Sequence, residues 1–267
     1  QGEYFSAGAN IFLIAVNAQQ GNWDKLDELS QKLQNMRAVF TGCSKPVVAA
    51  PFSVTLGGGT EVALAADRIV AASETYMGLP EVGVGILPAG GGTKEMVRRV
   101  ISPAAKLEHV GIDKYVQEAA LTIAMAKVST SAAEARDLGF LAPCDRIVMN
   151  KDHLIAEAKA EVLAMVSTGY RPTFTAKNCY AAGRDALASL QVFIEMQKEA
   201  RYISEHDAKV AHKVAYVMCG GELTAPQWVD EQYFLDLERE AFLSLAGEPL
   251  TQARLWHMLQ TGKPLRN

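Results

Sequence analysis

The chain is poor in cysteine. Cys43, Cys144, Cys179 and Cys219 are its four thiols, and no two share the C-x-x-C spacing that marks a zinc or redox site. Scattered thiols of this kind fit a reducing compartment, so a cytoplasmic setting is expected. Excess charge is equally scarce. A net charge of −4 argues against a nucleic-acid binder built on a basic face. No apolar run reaches the roughly 18 residues of a membrane span, and no signal peptide is visible, so no membrane partner is expected. Gly90–Gly92 run into Thr93-Lys94, but the order G-x-x-x-x-G-K-[ST] is missing, which argues against a nucleotide-hydrolysing phosphate loop. There is no internal repeat, low-complexity tract or charged tail. What is present is an ordinary globular composition, 49% hydrophobic and 21% charged over 267 residues. That suits one large domain, or a domain with an appendage, with a substantial core.

Periodicity gives the outline. A loop over residues 1–11 leads into a helix. Leu26, Leu29, Leu33, Met36 and Val39 recur at three- and four-residue steps, predicting a helix over 23–40 with one apolar stripe. Residues 46–50 and 68–72 are short apolar runs of strand type, the first broken by Pro51. Between them Gly57–Gly59 turn the chain into a helix over 60–66. Short strands alternating with helices predict an α/β fold. Thr93 reads as a helix cap, and Ser102-Pro103 as a cap with proline at the first helical position. Further helices are expected over 114–126, 131–138, 153–165, 182–217, 226–246 and 249–259, with one last strand within 142–149. The mixed core is expected over 1–150 and a helical region over 151–267.

Two glutamates stand in glycine-rich frames: Glu61 in Leu56-Gly57-Gly58-Gly59-Thr60-Glu61, and Glu81 in Leu79-Pro80-Glu81-Val82-Gly83-Val84-Gly85. A glycine turn into a helix exposes backbone N–H groups at the positive end of the helix dipole. Without a Cβ in the way, an anion can approach them. Ala7-Gly8-Ala9 is a second turn of small residues able to supply another amide. Two converging amides form an oxyanion hole, suited to a thioester carbonyl becoming an enolate. Two carboxyls in one dry site separate in pKa, so one acts as base and the other as acid on one water. Each motif alone is commonplace: a GGG turn, a solvated helical glutamate, a small-residue turn. Their combination, in this order and spacing, carries the signal.

Together these residues resemble the crotonase (enoyl-CoA hydratase/isomerase) superfamily. Phe5-Ser6-Ala7-Gly8-Ala9-Asn10-Ile11 is similar to its first oxyanion motif, residues 45–50 to the strand before the second, and residues 56–65 and 79–88 to its two catalytic segments. The resemblance implies a crotonase-like (ClpP/crotonase) α/β core, lacking its first strands, followed by a helical C-terminal region. It implies Glu61 and Glu81 as catalytic carboxylates, the N–H groups of Ala9 and Gly58 as the oxyanion hole, and Ala7 and Ala9 at coenzyme A. Having both acids implies hydration of trans-2-enoyl-CoA to 3-hydroxyacyl-CoA. The alternatives are a one-glutamate isomerase and a non-catalytic CoA-binding or assembly module. No metal or redox cofactor is implied for this step, acyl-CoA is the expected partner, and trimers or higher homo-oligomers are expected. Asn10 stands where aspartate is commoner, and Pro51-Phe52-Ser53 replaces Val-Asn-Gly. With Gln1 in place of an initiator methionine, the chain reads as a piece of something longer. Its ending, Gly247–Arg254 and Thr261–Pro264, resembles bacterial β-oxidation proteins in which a 3-hydroxyacyl-CoA dehydrogenase precedes the hydratase. NAD enters only if such an upstream domain exists.

The remaining residues are weighed more simply. Lys94, Arg98 and Arg99 are expected either at CoA phosphates or on a solvated helix face. The histidines, at positions 109, 153, 206, 212 and 257, are expected at surface or helix-end positions. Trp228, Tyr233 and Phe234 are expected to pack a helix.

Overall fold

A computed structural model describes residues 2–172 and 177–267; Gln1 lies outside the described residues. The elements follow in chain order. α1 (Ile11–Gln19) and α2 (Trp23–Gly42) precede β1 (Val48–Ala49), β2 (Ser53–Leu56), α3 (Gly58–Ala65), β3 (Arg68–Ala72) and β4 (Thr75–Gly78). A 3-10 turn, Pro80–Val84, and a glycine strap lead into α4 (Gly92–Met96). α4 runs through a π turn, Val97–Ile101, into α5 (Ser102–Ala104). Then come α6 (Asp113–Ala124), α7 (Ala132–Asp137), β5 (Arg146–Val148) and α8 (Leu154–Ser167). The last part holds β6 (Cys179–Ala181), α9 (Gly183–Glu199), α10 (Glu205–Cys219), β7 (Gln227–Val229), α11 (Glu231–Ala246) and α12 (Pro249–Thr261).

The strands form small sheets. β1, β3 and β5 pair in parallel in that order, and β2 pairs in parallel with β4. The entering segment Phe5–Ser6 lies along the other side of β2, through Phe5 N–H to Phe52, Ser6 N–H to Val54 and Leu56 N–H to Ser6. This pairing carries Ala9 to the start of α3. Asn10 caps α1 by accepting the Leu13 amide at 3.3 Å. Asparagine and aspartate cap about equally well, so the exchange noted in the sequence is neutral at this position.

Several expectations need correction. The helix expected over 182–217 is two helices. Arg201, at φ 61°, turns the chain, and Ser204 with Asp207 forms a capping box that restarts it. Residues 227–229 are a strand, antiparallel to β6, and Asp230 caps α11 after it. The strand within 142–149 is therefore not the last. Ser102 is not a cap: it is itself helical, the first residue of α5 reached directly from the π turn, and its hydroxyl donates to the Val97 carbonyl at 3.0 Å. Thr93 lies inside α4, where Gly91 is the cap residue.

The stripe on α2 is also placed differently. Of its five residues only Leu26 is fully buried, and Val39 is 67% exposed. Leu29 and Leu33 face a cavity, while the polar Ser30 and Gln34 are buried. One hydrophobic cluster runs from Ala15 and Leu26 through Leu64 and Ile69 to Phe234, Phe242 and Leu255. It joins the motif-bearing segment to α10, α11 and α12. Residue 150 falls between β5 and α8. Among the described residues, no helix is long and apolar enough to cross a membrane.

Candidate functional site

Gly57 sets the geometry of the site. Its φ of 53° and ψ of −127° turn β2 into α3, a conformation that a side chain would strain. The turn brings the first residue of α3, Gly58, against the Ala9 loop. A Cβ built on Gly58 would lie 3.5 Å from the Ala9 nitrogen. Neither amide finds an acceptor among the described residues. Ala9 and Gly58 thus stand together, as the sequence motifs require. Ala7 does not line the same cavity; it is exposed, two residues before Ala9.

Ala9, Gly58, Glu61 and Glu81 all line one cavity of about 420 Å³. The rest of its wall is mainly apolar, with Leu13, Leu29, Leu33, Ile86 and Phe242 prominent. This is the usual make-up of a small-molecule site: an apolar pocket with a few convergent polar groups.

Glu61 is 4% exposed, on the first turns of α3. Its Oε1 accepts two amides, from Gly90 and Gly92, each at 2.8 Å. The glycine strap must pass this close. A Cβ on Gly90 would lie 2.5 Å from Glu61 Oε2 and 2.2 Å from Leu33 Cδ2. Burial pushes the Glu61 carboxyl up to about 7, against the pull of the Gly92 and Gly90 amides and the positive field of Lys94.

Glu81 comes from the 3-10 turn that follows β4. Its Oε1 lies beside Gly57, 3.0 Å from where a Cβ would be. Its Oε2 is buried and has no hydrogen-bond partner among the described residues. Burial, and then the negative field of Glu61, hold this carboxyl well above its ordinary range. The pair therefore favours one proton on Glu81 while Glu61 titrates near neutrality. Such a pair can exchange protons with a bound molecule in both directions.

A third carboxylate was not foreseen. Glu238 on α11 is fully buried. It accepts the amides of Gly91 at 2.9 Å and Lys94 at 2.5 Å. Burial, and the field of Glu61, raise it well above the usual carboxylate range. Gln34 and Ser30 were missed as well: both donate to the Ala89 carbonyl, at 2.9 and 2.6 Å. The signal was there to read. Phe234, Glu238, Ala241 and Leu245 fall at four-, three- and four-residue steps, so Glu238 occupies a position on an apolar stripe.

Of the basic residues after the glycine strap, Lys94 is buried and Arg98 is partly exposed, and all three, Arg99 included, are paired with acids. Lys94 is 1% exposed and pairs with Glu95 at 2.5 Å and Glu231 at 2.8 Å. Arg98 and Arg99 both pair with Glu95. Burial alone would raise Glu95, but Arg98, Lys94, Arg37 and Arg99 around it hold it well below its usual range. The cluster is a satisfied ionic knot beneath the strap. His206 is likewise buried, although it sits in the first turn of α10. Its Nε2 lies 2.9 Å from the Thr251 hydroxyl, which donates to the Gly85 carbonyl at 2.9 Å. That hydroxyl has one proton, so His206 must be the donor to it. Trp228 packs edge-on against Tyr180 between β7 and β6 rather than within a helix. Phe234 is core, and Tyr233 donates to the Gly220 carbonyl. Among the described residues, no group of three or more His, Cys, Asp or Glu side chains is arranged to hold a metal ion.

Comparison with known proteins adds relatives to this geometry. The family model described as enoyl-CoA hydratase/isomerase matches residues 1–211. Over its whole length the chain is 46% identical to a Bacillus subtilis (strain 168) protein named "Probable 3-hydroxyacyl-CoA dehydrogenase", and it covers 33% of that protein. Over 61% of its length it is 32% identical to a protein of the same organism named "Probable enoyl-CoA hydratase", of which it covers 55%. The chain thus spans a third to about half of these curated relatives. The crystal structure of an enoyl-CoA hydratase from Bacillus halodurans matches 95% of the chain and 77% of its own length, with a TM-score of 0.60 at 19% identity. That is a likeness of fold.

Proposed function

The chain belongs to the enoyl-CoA hydratase/isomerase, or crotonase, family and has its fold, and from this premise we propose that it adds water to trans-2-enoyl-CoA thioesters. The observation that carries the reading is that two buried carboxyls of unequal proton affinity share one cavity with two amides that find no acceptor among the described residues. The thioester oxygen accepts the N–H groups of Ala9 and Gly58, which draws electrons from the double bond towards the carbonyl. Each such donor is worth about 3 to 4 kcal/mol in the transition state. Ionised Glu61 takes a proton from water as its oxygen bonds to C3. Protonated Glu81 gives its proton to C2 as the enolate collapses. Transfer of a proton from Glu61 to Glu81 resets the site. The apolar wall formed by Leu29, Leu33 and Phe242 receives the acyl chain, and the exposed Ala7–Ala9 loop lies where the coenzyme A moiety would lead out.

The 46% identity to a protein named for 3-hydroxyacyl-CoA dehydrogenation supports a place beside such an activity in fatty acid β-oxidation. The product of hydration is the substrate of that oxidation, and the dehydrogenase step, with its NAD, would belong to chain outside these residues. The core over 1–150 supplies the chemistry in this reading. The region over 151–267 supplies support and, with its exposed helices, the surfaces for homo-oligomers.

Purified protein is expected to hydrate crotonyl-CoA, followed by loss of enoyl absorbance, and to leave 3-enoyl-CoA unisomerised. The rate should fall about tenfold per unit as pH drops below about 7, where Glu61 takes up its proton. Turnover of 3-enoyl-CoA alone would favour the one-glutamate isomerase. Binding of acyl-CoA with neither reaction would favour the non-catalytic module.

A further inference from the structure

The glycine strap between the 3-10 turn and α4 has a carboxylate on each side. Its Gly90 and Gly92 amides point inward to Glu61 Oε1, both at 2.8 Å. Its Gly91 and Lys94 amides point the other way, to Glu238, at 2.9 and 2.5 Å. Gln34 closes the outer side, donating to the Ala89 carbonyl at 2.9 Å and lying 3.5 Å from Glu238 Oε2. Every amide of this strap that meets a side-chain carboxylate meets either Glu61 or Glu238.

Glu238 is costly where it stands. It is fully buried on the apolar face of α11, between Phe234 and Phe242. Core packing alone would be served there by leucine, and a buried carboxyl without partners is strongly unfavourable. Its two oxygens are both used on the strap, and one turn further on Phe242 lines the cavity. α11 also lies beyond residues 1–211, the part matched by the family model.

We propose that Glu238 is a positioning residue for Glu61: by accepting the amides of Gly91 and Lys94, it fixes the strap so that the amides of Gly90 and Gly92 meet the Glu61 carboxylate. The site is then completed by a helix of the C-terminal region. The inference rests on the proposed function only for the consequence on turnover; the effect on Glu61 itself is independent of the reaction.

The test uses Glu238→Gln and Glu238→Asp. Glutamine turns an N–H group towards one of the two strap amides, donor against donor, so the strap must shift. Glu238 is itself held towards its neutral form, so the substitution takes little charge away; Glu61 loses hydrogen bonds that favour its ionised form, and its titration midpoint, followed by carboxyl 13C NMR, rises. Crotonyl-CoA hydration should lose about 10- to 100-fold in kcat, the order expected for a small misplacement of a reacting group, with KM within about twofold. Aspartate keeps both acceptors on a shorter arm and should recover part of each effect; it carries the test if the glutamine variant does not fold. An unchanged or lowered Glu61 midpoint in a folded variant overturns the proposal, as does a loss confined to KM. If the unsubstituted protein does not hydrate crotonyl-CoA but the Glu61 midpoint still rises in the variants, the hydratase reading fails and the role of Glu238 stands.

Discussion

Glu61 and Glu81 share a cavity but are held in opposite ways. Glu61 projects from a helix, and one of its oxygens receives two amides from a strap that is itself pinned from outside. Glu81 projects from a single 3-10 turn, and one of its oxygens has no partner among the described residues. In the first environment the strap amides partly offset the upward push of burial; in the second burial is reinforced by the field of Glu61, and the neutral form is favoured further. On the proposed mechanism, two side chains of one chemistry are thus set apart as base and acid by their frames and by the field of one on the other.

The largest effect should come from making each one neutral in turn. Glu61→Gln retains an Oε1 that can accept both glycine amides, so its loss reports chemistry rather than collapse. Both Glu61→Gln and Glu81→Gln are expected to lower kcat for crotonyl-CoA hydration by about 10³-fold. The pH profiles of the residual rates separate them. In Glu81→Gln the rate should still fall below about pH 7; in Glu61→Gln that acid limb should vanish. Identical profiles for the two variants would erase the contrast drawn above.

A second effect concerns stability. The folded-state pKa of Glu61 is raised from 4.5 to about 7. Its contribution to stability is therefore fully present below about pH 4.5 and is lost as pH rises through about 7. Glu61→Gln has no such loss. The variant should gain up to about 3 kcal/mol over the unsubstituted protein at pH 8, shrinking to nothing near pH 4. Urea unfolding at the two pH values measures this directly; a gain of equal size at both would show that the carboxyl is not strained by its burial.

The smallest effect tests the frame of Glu81. Thr251 on α12 donates to the carbonyl of Gly85, the residue that ends the 3-10 turn. Thr251→Val leaves that carbonyl without its donor and His206 without its acceptor, and should cost about 2 kcal/mol in thermal or denaturant unfolding. It should lower kcat less than a change at Glu238, because it reaches Glu81 through a turn rather than through hydrogen bonds to the carboxyl. An effect on kcat greater than that of Glu238→Gln would invert the ranking of the two frames.

Much of the site was legible because its requirements are local. Gly57 must adopt φ 53° and Gly91 φ 107°, so their glycines are visible as such in any listing of the chain. The residues around Glu61 and Glu81 announce themselves in the same way. A signal for the break at Ser204 was present but not used: Ser204 and Asp207 stand at capping-box spacing, inside the stretch 182–217 expected as one helix. Less visible was β2. Its Ser53-Val54-Thr55-Leu56 alternates polar and apolar residues for only four positions between Pro51 and the glycine turn, and the fully buried one is Thr55, so pairing with β4 and with Phe5–Ser6 decides it. Residues 227–229 depended similarly on β6. Lys94, Arg98 and Arg99 look like surface cations in sequence, because the acids that bury them, Glu95 next door and Glu231 far along the chain, are joined to them only by folding.

The sequence by itself determined which groups could be brought to one cavity: two glutamates in glycine frames and two amides at small-residue turns. Backbone conformation and side-chain type are properties of a few neighbouring residues. Tertiary structure alone decided how those groups are tuned. Burial, the field of one carboxyl on another and the grip of Glu238 on the strap depend on residues up to 147 positions apart, and dielectric environment is set by everything packed around a charge.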